Sequence, residues 1–512
     1  MNQRIRMAAE ERAGRIGRKR TFIIGAALLA LFLGALDALV MTAAMPTVIA
    51  DLGGLHLYAW SYSSYFLARA VSLPVFGKLS DLFATKRLFL FSISLFIVSS
   101  VAAGASPSME FLVVSRIFQG IGTGGIFALV YVVLSDVSPP GQRPRILSFA
   151  SSIWGIASLI GPTFGGFMVT WSSWRWIFYI NLPLGLISLV SVALFFKEFR
   201  EKPKTIYLDW LGTLLLSVFI FAVLLLAMMG GREFPWYSFQ TVLLAIFILV
   251  SGMALYRTEK RAKDPILDFE FFKYPSYALG NTIVFCASFS VFALFAYAPL
   301  FLQGGLALSP LHVGYAMLSL SIGWSVGAFI VGRVVHWLGQ KNAVLTGAVL
   351  LIAGSGLTLN FSNTTTMAEC FFIFLISGLG MGFISLSTLL IVQDSIAAKD
   401  LGIATSFHQF SRTLGGTIGV GVCGGFVTSH LLNRLKDAGK IIPETILGQL
   451  QTSMENLLQA EFQALIPPDV RIILQEVVLN SVSTVFTIVF AVSLISLGLA
   501  LCLPSKEGKK ED

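Results

Sequence analysis

The sequence predicts an all-α integral membrane protein with fourteen transmembrane helices, arranged as two six-helix bundles with two further spans inserted between them. Three observations predict it. Of 512 residues, 55% are hydrophobic and only 12% charged, with a mean hydropathy of +0.80, whereas soluble domains average about 25% charged residues. Apolar runs of about 20 residues, enough to cross a hydrocarbon core of about 30 Å, recur along the whole chain. Two short motifs of the first half return in the second at a nearly constant offset.

In chain order the apolar runs occupy 22–45, 59–76, 88–106, 111–134, 146–170, 176–196, 208–229, 238–256, 277–302, 311–335, 342–360, 367–391, 403–427 and 481–503. The first ends at Met45-Pro46. It follows an Arg-rich tail, the outline of a signal peptide, but it is about 24 residues long and shows no small-residue cleavage site at a suitable distance. It is read as a retained span. The domain plan is then a basic tail (1–21), an N-terminal bundle (22–196), two linker spans (208–256), a C-terminal bundle (277–503) and a tail (504–512). The C-terminal bundle includes a polar external loop, 428–480. Within it Leu447, Leu450, Met454, Leu457 and Leu458 recur at helical spacing and Pro467-Pro468-Asp469 is a helix-start signal, which predicts two short amphipathic helices on the outer membrane surface.

Basic residues orient the spans. Placing the N-terminus in the cytoplasm puts 27 of the 36 Lys and Arg on that side: 7 in the N-terminal tail, 17 in six loops and 3 in the C-terminal tail. The short external loops hold only Arg175 and Arg232, the long one holds 4, and Arg69, Arg116 and Arg412 lie inside spans. The positive-inside rule then sets both termini in the cytoplasm of a multi-pass protein of the plasma or inner membrane. The net charge of +9 records topology and not a nucleic-acid footprint. The expected partners are the lipid bilayer and a small-molecule substrate, with the chain working as a monomer.

The four cysteines, Cys286, Cys370, Cys423 and Cys502, form no C-x-x-C pair, and the five histidines show no metal-ligand spacing. No G-x-x-x-x-G-K-[ST] phosphate loop occurs. No cofactor is expected, the proton serving as coupling ion.

The repeat is explicit in two places. Gly77-Lys78-Leu79-Ser80-Asp81 follows span 2, and Gly332-Arg333-Val334-Val335-His336 follows span 10, an offset of 255 residues. Gly165-Gly166-Phe167 recurs as Gly424-Gly425-Phe426, an offset of 259. Duplicated six-span halves are a secondary-transporter architecture in which access alternates around a midplane site.

On its motifs the chain resembles the major facilitator superfamily, specifically the fourteen-span drug:proton antiporter branch, over nearly its whole length. Leu36-Asp37 through Met45-Pro46 resembles the branch's span 1 signature, and Gly77-Lys78-Leu79-Ser80-Asp81 through Lys86-Arg87 resembles the loop signature, motif A. Arg116-Ile117-Phe118-Gln119-Gly120-Ile121-Gly122 resembles motif B. Gly155 with Gly161-Pro162-Thr163-Phe164-Gly165-Gly166 resembles the antiporter signature, motif C. Trp174-Arg175-Trp176-Ile177-Phe178-Tyr179-Ile180-Asn181-Leu182-Pro183 and Arg412 through Gly416 also look typical of the branch. The chain departs from the pattern at Ala84-Thr85, where motif A carries Gly then Arg, and at Leu39 and Thr42, where span 1 carries Thr and Asn. Ala84 resists a positive φ.

Asp37 and Arg69 each lie about nine residues from the outer end of their spans, roughly 13 Å deep at 1.5 Å per residue. Arg116 is shallower, within reach of a long side chain. Ionisable groups at bilayer depth cost about 2.5–3.5 kcal/mol each on insertion scales, which marks them as functional candidates. Asp37 is therefore the expected proton carrier, with Arg116 and Arg69 setting its proton affinity differently in two access states; a fixed buried ion pair holding spans 1, 2 and 4 together is the other reading. The resemblance implies that the motif A loop acts as a latch through Gly77 and Asp81, the carboxylate capping a helix or pairing with an Arg. Gly155, Gly161, Gly165 and Gly166 with Pro162 allow close approach and a bend, read as a hinge or as a packing seam. Arg412 marks a possible site in the C-terminal half.

The expected function is a proton-coupled secondary exporter (antiporter) of hydrophobic or amphiphilic small molecules, multidrug-type, with antiport implied by motif C. An exporter of an anionic or zwitterionic metabolite or lipid is the alternative, because three Arg and one Asp lie well within the spans. A non-transporting membrane sensor or assembly protein is a minor alternative that lacks a soluble signalling domain. No catalytic motif points to an enzyme.

Overall fold

The computed structural model describes residues 20–504 apart from 39, 42–47, 49–50, 53–57, 140, 199–208, 231–233, 263–264, 266, 268, 307, 309, 398–399 and 439–466. Among the described residues fourteen long helices occupy the fourteen predicted positions. They are α1 (Arg20–Ala38), α2 (Tyr58–Leu82), α3 (Thr85–Gly104), α4 (Met109–Val137), α5 (Arg143–Trp171), α6 (Trp176–Phe195), α7 (Trp210–Met229) and α8 (Phe239–Glu259). The second half follows with α9 (Pro275–Pro299), α10 (Pro310–Leu338), α11 (Gln340–Thr358), α12 (Met367–Asp394), α13 (Leu401–Ala438) and α14 (Pro468–Leu501). Twelve are long and apolar enough to cross a membrane. The other two, α2 with 25 residues and α5 with 29, match them in length.

Local chemistry explains several boundaries. Ser108 caps α4 by accepting from the Phe111 N–H, satisfying an orphan donor of the first turn. The link between α2 and α3 is only Phe83 and Ala84. Ala84 sits at φ −58°, so the turn does not need the glycine usual in motif A. The corresponding link in the second half is Gly339 alone, at φ +81°, where glycine is favoured. After Pro299 α9 widens into a π-type turn, Leu300–Gly305.

The external loop needs one correction. Residues 439–466, which carry the predicted leucine-rich helix, lie outside the described residues. The Pro467-Pro468-Asp469 signal does start a helix, but α14 runs unbroken for 34 residues into the last span. A proline is tolerated at a helix N-terminus, and no proline interrupts the chain from there to Leu501, so nothing separates a surface helix from the span.

The chain folds into two compact units. Unit 1 comprises Met1–Ser217, Arg257–Lys273 and Leu389–Phe410, and unit 2 comprises Val218–Tyr256, Tyr274–Thr388 and Ser411–Asp512. In unit 1 α4 packs along α2 and α3. Gly120 and Gly124 lie against the carbonyls of Tyr65 and Arg69 on α2, and Gly122 against the backbone N of Phe96 on α3, with no room for a methyl group. In unit 2, Gly378 and Gly382 of α12 lie the same way against the carbonyls of Leu320 and Trp324 on α10, and Gly380 against the backbone N of Leu351 on α11. The α2 and α3 positions map onto α10 and α11 at an offset of 255, and those of α4 onto α12 at 258. The duplication thus persists down to individual backbone contacts, where small residues let helices approach closely in lipid.

Gly378→Ala should therefore destabilise the protein by about 1–3 kcal/mol, the range for overpacking. Gly498→Ala, at a helical glycine with open space around it, should be neutral or stabilising by up to about 1 kcal/mol. Thermal unfolding of the purified variants in detergent compares them, and equal melting temperatures would show that the seam tolerates a methyl group.

Candidate functional site

Asp37 lies on α1 and is 5% exposed; Arg116, two turns into α4, is fully buried. The Arg116 Nη1 donates to Asp37 Oδ2 at 2.5 Å and to Gln119 Oε1 at 2.8 Å. Asp37 Oδ1 accepts from Gln119 Nε2 at 2.8 Å and from Asn181 Nδ2 at 3.2 Å. Both amides also donate to the Ser100 hydroxyl, at 3.2 and 2.9 Å, and that hydroxyl donates to the Phe178 carbonyl at 3.0 Å. Four helices, α1, α3, α4 and α6, thus close around one carboxylate. Arg116 and Gln119 reach it together because residues three apart share a helix face.

The cluster has a floor. The Arg116 guanidinium carbon lies 4.0 Å from the centroid of the Tyr65 ring, and the Tyr65 hydroxyl donates to the Gly34 carbonyl at 3.0 Å and Thr123 Oγ1 at 3.2 Å. An arginine over a desolvated ring gains about 2 kcal/mol or more, which helps to offset the burial of its charge. Three donors converge on one carboxylate. The two amides can also serve the protonated form, because an amide presents donors on one side and an acceptor on the other. Asn181 Oδ1 is buried without a hydrogen bond and becomes available to a carboxylic O–H if the amide turns over.

Arg69 lies elsewhere. Its guanidinium carbon is 4.8 Å from the Phe66 centroid, 5.2 Å from Phe127 and 5.9 Å from Tyr65. The ion pair to Asp37 is made by Arg116. Gln119, Asn181, Ser100 and Tyr65 escaped the sequence reading as site residues. The available signal was an amide inside an apolar run, at Gln119 in the motif B string and at Asn181 in the span 6 string.

The motif A residues join α2 to α13 inside unit 1. Asp81 accepts from the Gly402 N–H at 3.0 Å and the Ile403 N–H at 2.8 Å, a carboxylate placed on the positive end of a helix. Gly77 packs against Ser406, and Gly402 against Ser80 and Asp81, at separations that exclude a Cβ on either glycine. A second clasp lies beside the first. Arg143 at the start of α5 donates to Gln393 Oε1 and pairs with Asp394 at 3.2 Å, while Gln393 Nε2 donates to Thr405 at 2.9 Å and Ser135 at 3.3 Å. Gln393, almost fully buried, carried no motif signal. Lys86 donates to the Ala193 carbonyl near the end of α6, a cation at a helix C-terminus.

α5 is helical throughout Gly155, Gly161, Pro162, Gly165 and Gly166. Arg412, on α13 in unit 2, is buried with its guanidinium carbon 5.9 Å from the Trp324 centroid.

A sequence profile of the Major Facilitator Superfamily matches residues 27–420. The chain is 31% identical over 462 residues to the multidrug transporter protein MdtP of Bacillus subtilis, covering 88% of this chain and 84% of that one. It is 30% identical over 418 residues to multidrug resistance protein 3 of the same organism, covering 81% of each. Among solved structures, the human organic anion transporter MFSD10 (TETRAN) superposes with a TM-score of 0.61 at 14% identity, covering 93% of this chain and 99% of that one. A bacterial homologue of the lysosomal transporter Spinster does so with a TM-score of 0.54 at 12% identity, over 94% and 96% of the two chains.

Two outcomes are expected at these sites. Arg116→Leu should cost about 3–5 kcal/mol of stability by stranding the Asp37 charge, and Asp37→Asn in the same chain should recover most of it. Denaturant unfolding in detergent gives the double-mutant cycle, and additive losses would mean the pair is not coupled. Asp81→Asn should weaken the α13 cap by up to about 1 kcal/mol. Hydrogen exchange at the Gly402 and Ile403 amides should then accelerate up to about fivefold; unchanged exchange would remove Asp81 from the cap.

Proposed function

The chain belongs to the Major Facilitator Superfamily, and from that premise we propose that it is a proton-coupled exporter of hydrophobic or amphiphilic small molecules, multidrug-type, working by alternating access. The observation that carries the reading is the buried Asp37 carboxylate, gripped by Arg116 and by two amides that can serve either protonation state. In one access state the three donors hold Asp37 ionised. Movement that withdraws Arg116 leaves a desolvated acid that takes up a proton, and its return expels the proton. The relatives' names, a multidrug transporter and a multidrug resistance protein, support the substrate class.

In this reading the protein sits in the plasma or inner membrane as a monomer with both termini in the cytoplasm. It needs no cofactor beyond the proton and no nucleic-acid partner. Asp81 and Gly77, with Arg143 and Gln393 beside them, latch the cytoplasmic end. The motif C helix provides the hinge. Arg69 tunes the field around Arg116 through the Tyr65 ring they share. Export of an anionic or zwitterionic metabolite or lipid is the second reading, favoured by three arginines against one aspartate deep in the spans.

Asp37→Asn should abolish proton-driven uphill export in reconstituted vesicles while leaving substrate binding largely intact; undiminished proton-driven export by this variant would refute the carrier role. A single carrier also implies one proton per substrate. One proton moving across 100 mV supplies about 2.3 kcal/mol, which sustains a neutral-substrate gradient of about 50-fold. Export of a neutral or zwitterionic substrate should then respond to an imposed potential at constant pH, and export of a monovalent cation should not. Potential-driven accumulation of such a cation would require a second carrier.

A further inference from the structure

The repeat that relates the two units also shows where they differ. At the offset of 255, Arg69 corresponds to Trp324; at the α4 to α12 offset of 258, Arg116 corresponds to Phe374. Two charged positions of the first half are two aromatic positions of the second. The scaffold is shared, down to the glycine contacts at Arg69 and Trp324, so the exchange of charge for aromatic surface is a difference of chemistry on one backbone plan.

Trp324 is the middle residue of the 29-residue α10, and its backbone is clamped by Gly378 and Gly382 of α12. Its ring meets Phe292 edge to face, with centroids 6.0 Å apart. Phe292 in turn packs on Gly416, one turn beyond Arg412 on α13, whose guanidinium lies 5.9 Å from the Trp324 centroid. Three helices therefore present two rings and one cation at mid-depth, on backbones that close contact holds in place. The Trp324 indole N–H is buried and donates to no protein acceptor, although a buried indole usually finds one and an unmet buried donor is costly.

We propose that Phe292, Trp324 and Arg412 form a substrate subsite of unit 2 that takes a planar aromatic ring bearing a hydrogen-bond acceptor, a carbonyl or a carboxylate. The ring stacks with Phe292 and Trp324, while the acceptor receives the indole N–H and faces the guanidinium. An ammonium group gains neither contact and is repelled by Arg412. The subsite rests on the transport reading above and narrows its substrate class from amphiphiles in general to acceptor-bearing aromatics, neutral or anionic.

The test is equilibrium binding to the purified full-length protein in detergent micelles, followed by anthracene fluorescence anisotropy above an empty-micelle baseline. The probes are 9-anthracenecarboxylate and 9-(aminomethyl)anthracene, which share a ring and differ in the attached group. The carboxylate should bind at least about tenfold tighter, and Trp324→Phe, which keeps an aromatic ring and removes the N–H, should weaken it about tenfold without changing the amine, as expected for one charge-assisted hydrogen bond. If Trp324→Phe fails to fold, Arg412→Gln is measured on the same pair and should narrow the preference by a similar factor. Equal affinities for the two probes, no saturable binding of either, or an unchanged preference in the variant overturns the subsite. Because binding needs no gradient, the outcomes separate. Lost preference alongside intact proton-driven export removes the subsite alone, and a clear preference in a protein that exports nothing removes the transport reading alone.

Discussion

The structure of unit 1 is organised by one constraint, that the Asp37 charge must not be stranded in a low-dielectric interior. Burying an ion pair is at best close to neutral, while leaving one member alone costs several kcal/mol. Arg116 answers the charge directly, and Gln119 and Asn181 fill the second carboxylate oxygen. Ser100 then ties the two amides together, and Tyr65 underlies the guanidinium. Apart from Arg116 and Gln119, which share α4, these side chains come from different helices, so the helices that carry them are fixed relative to one another by the same requirement. A network of this kind is a structural keystone, built around the single charge of Asp37.

Close helix approach supplies the rest of the frame. In lipid, apolar side chains gain little by leaving one hydrocarbon environment for another, and small residues that bring backbones together carry the packing. α4 and α12 meet this need with glycines at corresponding positions, each set against the corresponding backbone atom of a partner helix. Duplication has preserved the backbone seams while the side chains between them diverged. At the positions of Arg69 and Arg116 the second half carries the aromatic rings of Trp324 and Phe374.

The basic end of unit 1 shows a different economy. Asp81 and Gly402 are 321 residues apart in sequence and meet because a carboxylate and a helix N-terminus attract, and because both facing glycines lack a Cβ. Arg143, Gln393 and Thr405 repeat the arrangement with neutral and charged donors. The clasp is made of directional hydrogen bonds at a helix end.

Much of this was legible in the chain itself. Apolar run length gave fourteen helices in their places, because crossing a hydrocarbon layer requires an unbroken helix of fixed length. Motif order gave the family, and rarity of charge in the spans singled out Asp37, Arg116, Arg69 and Arg412. The tertiary structure alone decided which arginine holds Asp37. Depth along the chain matched Arg69 to it, but helix rotation aims Arg116 at the carboxylate and Arg69 at aromatic rings. Likewise Gln119, Asn181 and Gln393 are ordinary polar residues until packing removes their water and leaves them one another. Sequence fixes which groups are costly to bury, and only the packed helices determine which partners repay that cost.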